Sequence, residues 1–237
     1  MQVLLHKADT RGHANYGWLD THHTFSFGNY YHPERVHFGA LRVLNDDVVA
    51  PGRGFGRHPH DNMEIISIPL EGDLEHRDSM GNRSVIRTGD IQVMSAGTGI
   101  SHSESNKNNN RPVKFLQIWI IPNQKDVNPR YDQITMDPGN LKNQLHQIVS
   151  PYPATQGVWI HQDAWFYRGD LDSGQSITHR LHSPGNGVYL FVLEGSLTIF
   201  DYELSDRDGV GITGIDSVRL SANSPAQVLV MEVPMLN

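Results

Sequence analysis

Between Val48 and Ile121 the chain swaps apolar runs for turns every few residues, and this rhythm limits what it can fold into. Met63–Leu70 (MEIISIPL) is apolar and rich in β-branched residues. Glu71-Gly72 turns the chain into Asp73–Asp78, and Met80-Gly81-Asn82 turns it again into Ser84–Arg87. Thr88-Gly89-Asp90 leads into Ile91–Met94, and a Gly-rich bend, SAGTGIS, carries the chain to His102. Val113–Ile121 (VKFLQIWII) reads as a fully buried strand. Runs this short, closed by Gly-containing turns, are what an all-β sandwich or barrel produces.

The same signals continue more sparsely. Val3–His6, Thr24–Phe27 and Gly39–Val43 read as strands, with Asn45-Asp46-Asp47 as a turn. The polar stretch Pro122–Pro153 reads as a connection with one helical turn near Leu141–Ile148. Val158–Leu171 resumes β character, Val188–Phe200 reads as a hairpin around Glu194-Gly195, and Gln227–Val233 as a last strand. Leu70-Glu71-Gly72 and Leu193-Glu194-Gly195 are one device used twice, which predicts two copies of one β-barrel fold. The expected division is a domain over 1–125, a linker over 126–150 and a second domain over 151–237, with terminal strands free to cross between them.

Composition removes several function classes. The 237 residues suffice for one large all-β domain or two smaller ones. A formal net charge of −7 disfavours broad contact with nucleic acid or with anionic membranes. The chain has no cysteine, so any metal must sit on nitrogen and oxygen ligands. The start, MQVLLHKADTRGH, lacks the apolar core of a signal peptide. No apolar stretch is long enough to span a membrane, so a soluble cytoplasmic protein is the expectation.

Two short pairs carry the chemistry: His58 and His60 in HPHDNME, and His102 and Glu104 in GISHSE. In an extended strand, i, i+2 spacing puts both side chains on one face. Two such strands side by side would present three imidazoles and one carboxylate to a common point, a donor set for a divalent transition metal. With 14 histidines in the chain, chance supplies roughly one His-x-His, so that pair alone decides little. The context adds more. Glycines precede each pair, and Gly52, His58, His60 and Glu64 form G-x5-H-x-H-x3-E, followed by Gly89-Asp90 and a second Gly-rich bend before His102. This order resembles the two signature segments of the cupin superfamily.

The phrases HTFSF, FGALRVLNDD, GFGRHPHDNMEII, LEGDLEHRDSMGN, IQVMSAGTGISHSE and QIWIIP are similar to the pirin family, nearest to bacterial members described as quercetinases. The resemblance implies a bicupin: two jelly-roll-like β-barrel cupin domains in tandem, with a metal site in the first and a degenerate, metal-free second. Position by position, it places the family ligands on His58, His60, His102 and Glu104. Glu64, often a ligand in other cupins, is then expected to be supporting or structural. The second half offers Thr178-His179-Arg180-Leu181-His182, whose i, i+3 spacing would split its histidines between strand faces.

Three imidazoles and a carboxylate leave an octahedral ion two open positions, closer to a non-haem iron centre than to structural zinc. Iron(II) is the expected ion, with Mn, Ni, Co, Cu or Zn as alternatives. The resemblance implies a quercetin 2,3-dioxygenase that opens a flavonol with dioxygen, with Glu104 as both ligand and proton acceptor. Expected partners are a flavonol-like small molecule and O2, with no direct nucleic acid and no membrane, acting on a monomer. The competing expectation is a metal-binding regulatory protein working through a protein partner. His22 and His23 are expected to pack structurally, and Phe25, Phe27, Phe55, Met63 and Met94 to form core or pocket wall. His76 is expected at the surface or bonded within its hairpin. His13, His32, His37, His146, His161, His179 and His182 carry no motif support.

Overall fold

The computed structural model describes residues 1–153 and 156–236. Almost every element is a strand, arranged as two units that each pair a seven-stranded sheet with a four-stranded one. In the first unit the large sheet runs Arg130–Thr135, Asp90–Ser95, Glu64–Glu71, Val113–Ile120, Leu41–Val49, Leu19–His23, Gly12–Asn15. Its small sheet runs Gly54–His60, Ile100–Asn106, Asp73–Asp78, Arg83–Arg87. The second unit repeats the plan around Asn186–Glu194 and Ala226–Pro234, with Ser176–Arg180 and Ser217–Ala222 in its small sheet. The expected all-β pair of cupin units is present, and each is a two-sheet sandwich with open edges rather than a barrel closed by a continuous ladder.

The long apolar runs are explained by how the units meet. Along Val113–Ile120, Leu116, Ile118 and Ile120 enter a central core shared with Phe166, Tyr189, Phe191, Leu229 and Met231 of the second unit. The alternate residues Val113 and Phe115 pack inside the first sandwich against Leu74 and Ile86. Asn186–Glu194 does the same from the other side, sending Tyr189, Phe191 and Leu193 to the central core and Val188, Leu190 and Val192 to its own interior. A strand covered on both faces loses the polar alternation of a half-buried one. Each buried Leu, Ile or Phe contributes about 1.5–3 kcal/mol, so this shared core dominates the stability.

The Leu-Glu-Gly repetition has a structural counterpart. Gly72 has φ +80° and Gly195 φ +82°, and a Cβ on either would meet a carbonyl oxygen, that of Pro112 at 2.8 Å or of Pro225 at 2.0 Å. Both turns therefore need glycine for the same two reasons.

Six expectations are corrected. Thr24–Phe27 is not a strand and has only an isolated bridge at Phe27, and Asn186–Glu194 and Leu197–Ile199 belong to different sheets rather than to one hairpin. Asn45-Asp46-Asp47 is not a turn but the middle of the nine-residue strand Leu41–Val49, paired on both sides. The stretch read as a linker carries strand Arg130–Thr135, which closes the first unit's large sheet, and strand His146–Ser150, which pairs with Trp165–Leu171 of the second. No helical turn lies at Leu141–Ile148; the 3-10 turn is Pro138–Asn140, and Ile148 and Val149 are in the central core. Val158–Leu171 is two strands, Val158–Trp159 and Trp165–Leu171. In each case tertiary pairing overrides local propensity. Strand Gln2–His6 joins the second unit, antiparallel to Gly209–Thr213, so the first residues of the chain sit beside its far half. Among the described residues no helix is long and apolar enough to cross a membrane.

Candidate metal centre

The two histidine-bearing segments are neighbours in the small sheet. Gly54–His60 runs antiparallel to Ile100–Asn106 with His58 directly opposite His102 and His60 opposite Ile100. The register shifts between His102 and Glu104, which pairs with Phe55, so a bulge re-aims the first strand beside the histidines. The inward face of Ile100–Asn106 is Ile100, His102, Glu104 and Asn106, the period-2 pattern read from the sequence. The ring centroids of His58, His60 and His102 lie 4.8, 4.5 and 4.9 Å apart pairwise. One nitrogen from each falls within 4.8 Å of the others.

Hydrogen bonds orient these rings. Nδ1 of His58 donates to the Gly56 carbonyl at 2.7 Å, which leaves Nε2 with its lone pair. Nδ1 of His102 faces Nδ1 of His76 at 3.5 Å, and Nε2 of His76 lies 3.2 Å from Oδ2 of Asp78. Burial favours a protonated Asp78, but hydrogen bonds from Asn82 and His76 outweigh it and hold the carboxyl below its ordinary range. An ionised Asp78 fixes the proton of His76 on Nε2, so Nδ1 of His76 accepts from Nδ1–H of His102. Nε2 of His102 is then a bare lone pair. Nε2 of both His60 and His102 is buried with no hydrogen-bond partner. Buried nitrogens are seldom left unpaired unless something else takes the lone pair. Burial, with neighbouring histidines, lowers His60 to about 4 and His102 to about 2, so both are neutral at pH 7. Neutral imidazoles with free, converging lone pairs fit a divalent metal.

Glu104 lies beside this cluster, grouped with His102 and His76 rather than with His58 and His60. It is buried, and Oε1 accepts from Oγ of Ser67 at 3.0 Å, with Gln117 bonded to the same hydroxyl at 3.0 Å. A carboxylate oxygen of Glu104 comes within 4.8 Å of nitrogens of His102 and His76. Burial raises its pKa to about 7 against the hydrogen bonds of Ser67 and Gln117. His58, His60 and Glu104 line a small chamber of about 70 Å³ walled by Phe27, Phe55, Phe115 and Trp119. Asn45, Asp47, Phe27 and Phe55 also line an adjoining chamber of about 310 Å³, bounded by the Gly12–Asn15 and Leu19–His23 hairpin and by Tyr30. That volume is at the low end for small-molecule sites.

Other expectations sort as follows. Glu64 points away from the cavity: Ser95 Oγ donates to it at 2.7 Å and Nδ1 of His161 lies 3.0 Å away, so it braces the two units. His76 is not at the surface; as the other expectation had it, it is bonded within its hairpin, to Asp78, and it is wholly buried behind His102. Its sequence context, Glu-His-Arg-Asp, gave no hint, because only the pairing of His76 with Glu104 across the sheet brings it there. His23 lines the outer chamber bonded to Asn45 at 2.9 Å, while His22 stacks on His13 at the surface. Phe25 and Met94 are core, and Phe27 and Phe55 are pocket wall. In the second unit, His179 and His182 both reach Oε2 of Glu232, at 2.9 and 3.0 Å, contrary to the expected split. The strand ends at Arg180, so strand alternation no longer governs His182. Oε1 of Glu232 accepts from Asn186 and from the backbone of His182 and Ser183, which makes this cluster a hydrogen-bonded brace.

Comparison with known proteins agrees with this architecture. The Pirin family model matches residues 5–120, and the model of the quercetinase C-terminal cupin domain matches 147–233. Quercetin 2,3-dioxygenase of Escherichia coli K12 is 43% identical over 98% of this chain and 99% of its own. A putative quercetin 2,3-dioxygenase of Zymomonas mobilis is 38% identical over 93% of each. The crystal structure of the E. coli bacterial pirin YhhW in complex with nickel(II) superposes with a TM-score of 0.94 at 40% identity, covering 99% of this chain and 100% of that one. Matches to both halves and near-complete coverage by a relative at this identity establish that the chain belongs to the pirin family.

Proposed function

We propose that this protein is a metal-dependent quercetin 2,3-dioxygenase with His58, His60, His102 and Glu104 as its metal ligands. The observation that carries the reading is the pair of buried, unpartnered Nε2 atoms of His60 and His102, clustered with His58 beside the chamber that His58, His60 and Glu104 line. The names of the E. coli and Z. mobilis relatives support the substrate class. Iron(II) is the proposed ion; the nickel(II) in the E. coli pirin supports a divalent metal in the family without selecting one. When bound, a divalent metal acidifies a coordinated hydroxyl and offers open positions for small oxygen ligands.

The protein's own groups supply the rest. Phe27, Phe55, Phe115 and Trp119 form aromatic walls that receive a flat ring system and exclude water. Glu104 takes the proton of the flavonol 3-hydroxyl, and the Ser67–Gln117 pair holds its carboxylate in place. The His76–Asp78 pair keeps His102 in the tautomer that presents Nε2. The working form is a cytoplasmic monomer, with flavonol and O2 as partners; gel filtration checks the oligomeric state.

The test is to strip the protein of metal, reload it separately with Fe, Mn, Ni, Co, Cu or Zn, and add quercetin. Loss of flavonol absorbance should accompany oxygen uptake with at least one ion. Absence of turnover with all six would overturn the reading.

A further inference from the structure

Asp47 is locally out of place. It lies within a run of turn-forming residues in the middle of a central strand, where Asp is disfavoured. Its side chain is buried, and its one hydrogen bond among the described residues is to Oδ1, from the hydroxyl of Thr21 on the neighbouring strand. Among the described residues Oδ2 has no hydrogen-bond partner, and it is not fully enclosed, so it opens on the cavity. An aspartate is a poor strand former, and sites that break local rules in this way are where function is expected.

Its position says what it meets. Asp47 lines both the small chamber and the outer one, whereas His58, His60 and Glu104 line the small chamber and not the outer one. A ligand whose enol sits at the histidines therefore passes Asp47 with a different part of its ring system. Around Asp47 the shared wall is Phe27, Phe55 and the amide of Asn45, so among the described residues the carboxyl is the sole ionisable group common to the two chambers. Burial, opposed by the Thr21 hydrogen bond, raises its pKa to about 7, which suits it to share a proton with a phenol.

We infer that Asp47 is the specificity residue that recognises a ring hydroxyl of the flavonol remote from the 3-hydroxyl, through its free Oδ2. The inference rests on the flavonol reading of the cavity. It predicts that the protein tells hydroxylated flavonols from bare ones at Asp47, and tells enols from other groups at the histidines.

Two ligands separate these roles: quercetin, and 3-hydroxyflavone, whose single hydroxyl is the enol. Asp47→Asn keeps an acceptor for Thr21 but puts an amide NH2 where Oδ2 stood. Binding is read from the flavonol absorbance band on metal-loaded protein without oxygen. In Asp47→Asn the Kd for quercetin should rise about tenfold or more, the ratio a hydrogen bond to a charged acceptor carries. The Kd for 3-hydroxyflavone should stay within about twofold. Equal weakening of both ligands would make Asp47 structural, and an unchanged quercetin Kd would remove its role; either overturns the inference. Asp47→Ser is read the same way if the Asn variant melts early or fails to load metal. A wild-type protein that turns over quercetin while its Asp47 variants bind both flavonols normally overturns this inference alone. One that neither binds nor turns over quercetin overturns the flavonol reading as well.

Discussion

The chain from Asp78 through His76 to His102 predicts how strongly a residue that touches no metal controls metal affinity. Replacing His76 with Leu removes the acceptor for Nδ1–H of His102, now 3.5 Å away, and one donor to Asp78. Asp78 keeps bonds from Asn82 and Met80, so its loss is partial. His102 is 1% exposed, so its Nδ1–H would be left buried without a partner, at a cost of about 1–3 kcal/mol. Two effects follow, and they are separable. The metal-free protein should lose about 2 kcal/mol, roughly 4–8 °C in Tm for a chain of this size. Metal affinity should fall about 10- to 100-fold, because the ring is free to turn and the wrong tautomer becomes accessible. His76→Asn returns a polar atom close to the ring nitrogen, and should recover much of the affinity but not all of the stability. The assay is competition against a chromophoric chelator, paired with thermal melts of the metal-free variants. If His76→Leu melts lower yet binds metal within about twofold of wild type, the relay has no hold on His102 and the reasoning fails.

Other outcomes follow from the same geometry. Glu104→Gln should keep most of the metal, since three imidazoles remain, and lower kcat for quercetin by about 100-fold or more; unchanged turnover would remove the proton-accepting role. Although burial favours its protonation, hydrogen bonds from His179, His182 and Asn186 bring Glu232 down to about 2. A carboxyl depressed in the folded state stabilises above its unfolded pKa and loses that contribution as pH falls. Acid melts followed by circular dichroism should therefore show about 2 kcal/mol disappearing between pH 4.5 and 2, and Glu232→Gln should flatten that slope. Gly72→Ala and Gly195→Ala should each cost about 1–3 kcal/mol in denaturant titrations, since both combine positive φ with a carbonyl in the way; a neutral result at either would break the equivalence of the two turns.

What was legible beforehand had local causes. The i, i+2 pairs, the turn glycines and the apolar runs are short-range patterns, and strand geometry translates them directly into faces. The misread segments share a different cause. Asn45-Asp46-Asp47 has turn chemistry, yet it continues a strand because Asn45 and Asp47 face a cavity while Asp46, on the other face, pairs with Arg11 and Arg207. Arg130–Thr135 and His146–Ser150 look like linker because their stability comes from ladders with residues far along the chain. His182 reaches Glu232 because its strand ends at Arg180, where the alternation between faces stops.

By itself the sequence determined the all-β class, the duplication, and a nitrogen-and-oxygen donor set, since these follow from residue types, the absence of cysteine and a period of two. The tertiary structure decided which polar groups share a cavity. It set Glu104 against Ser67 inside the first sandwich and Glu64 against His161 between the units, although both residues sit on inward-facing strands. It buried His76 behind His102 and left one oxygen of Asp47 free beside aromatic walls. These placements depend on the register between strands distant in sequence and on which sheet face meets the other unit. A one-residue shift in register exchanges the two faces of a strand, so no local pattern can specify them.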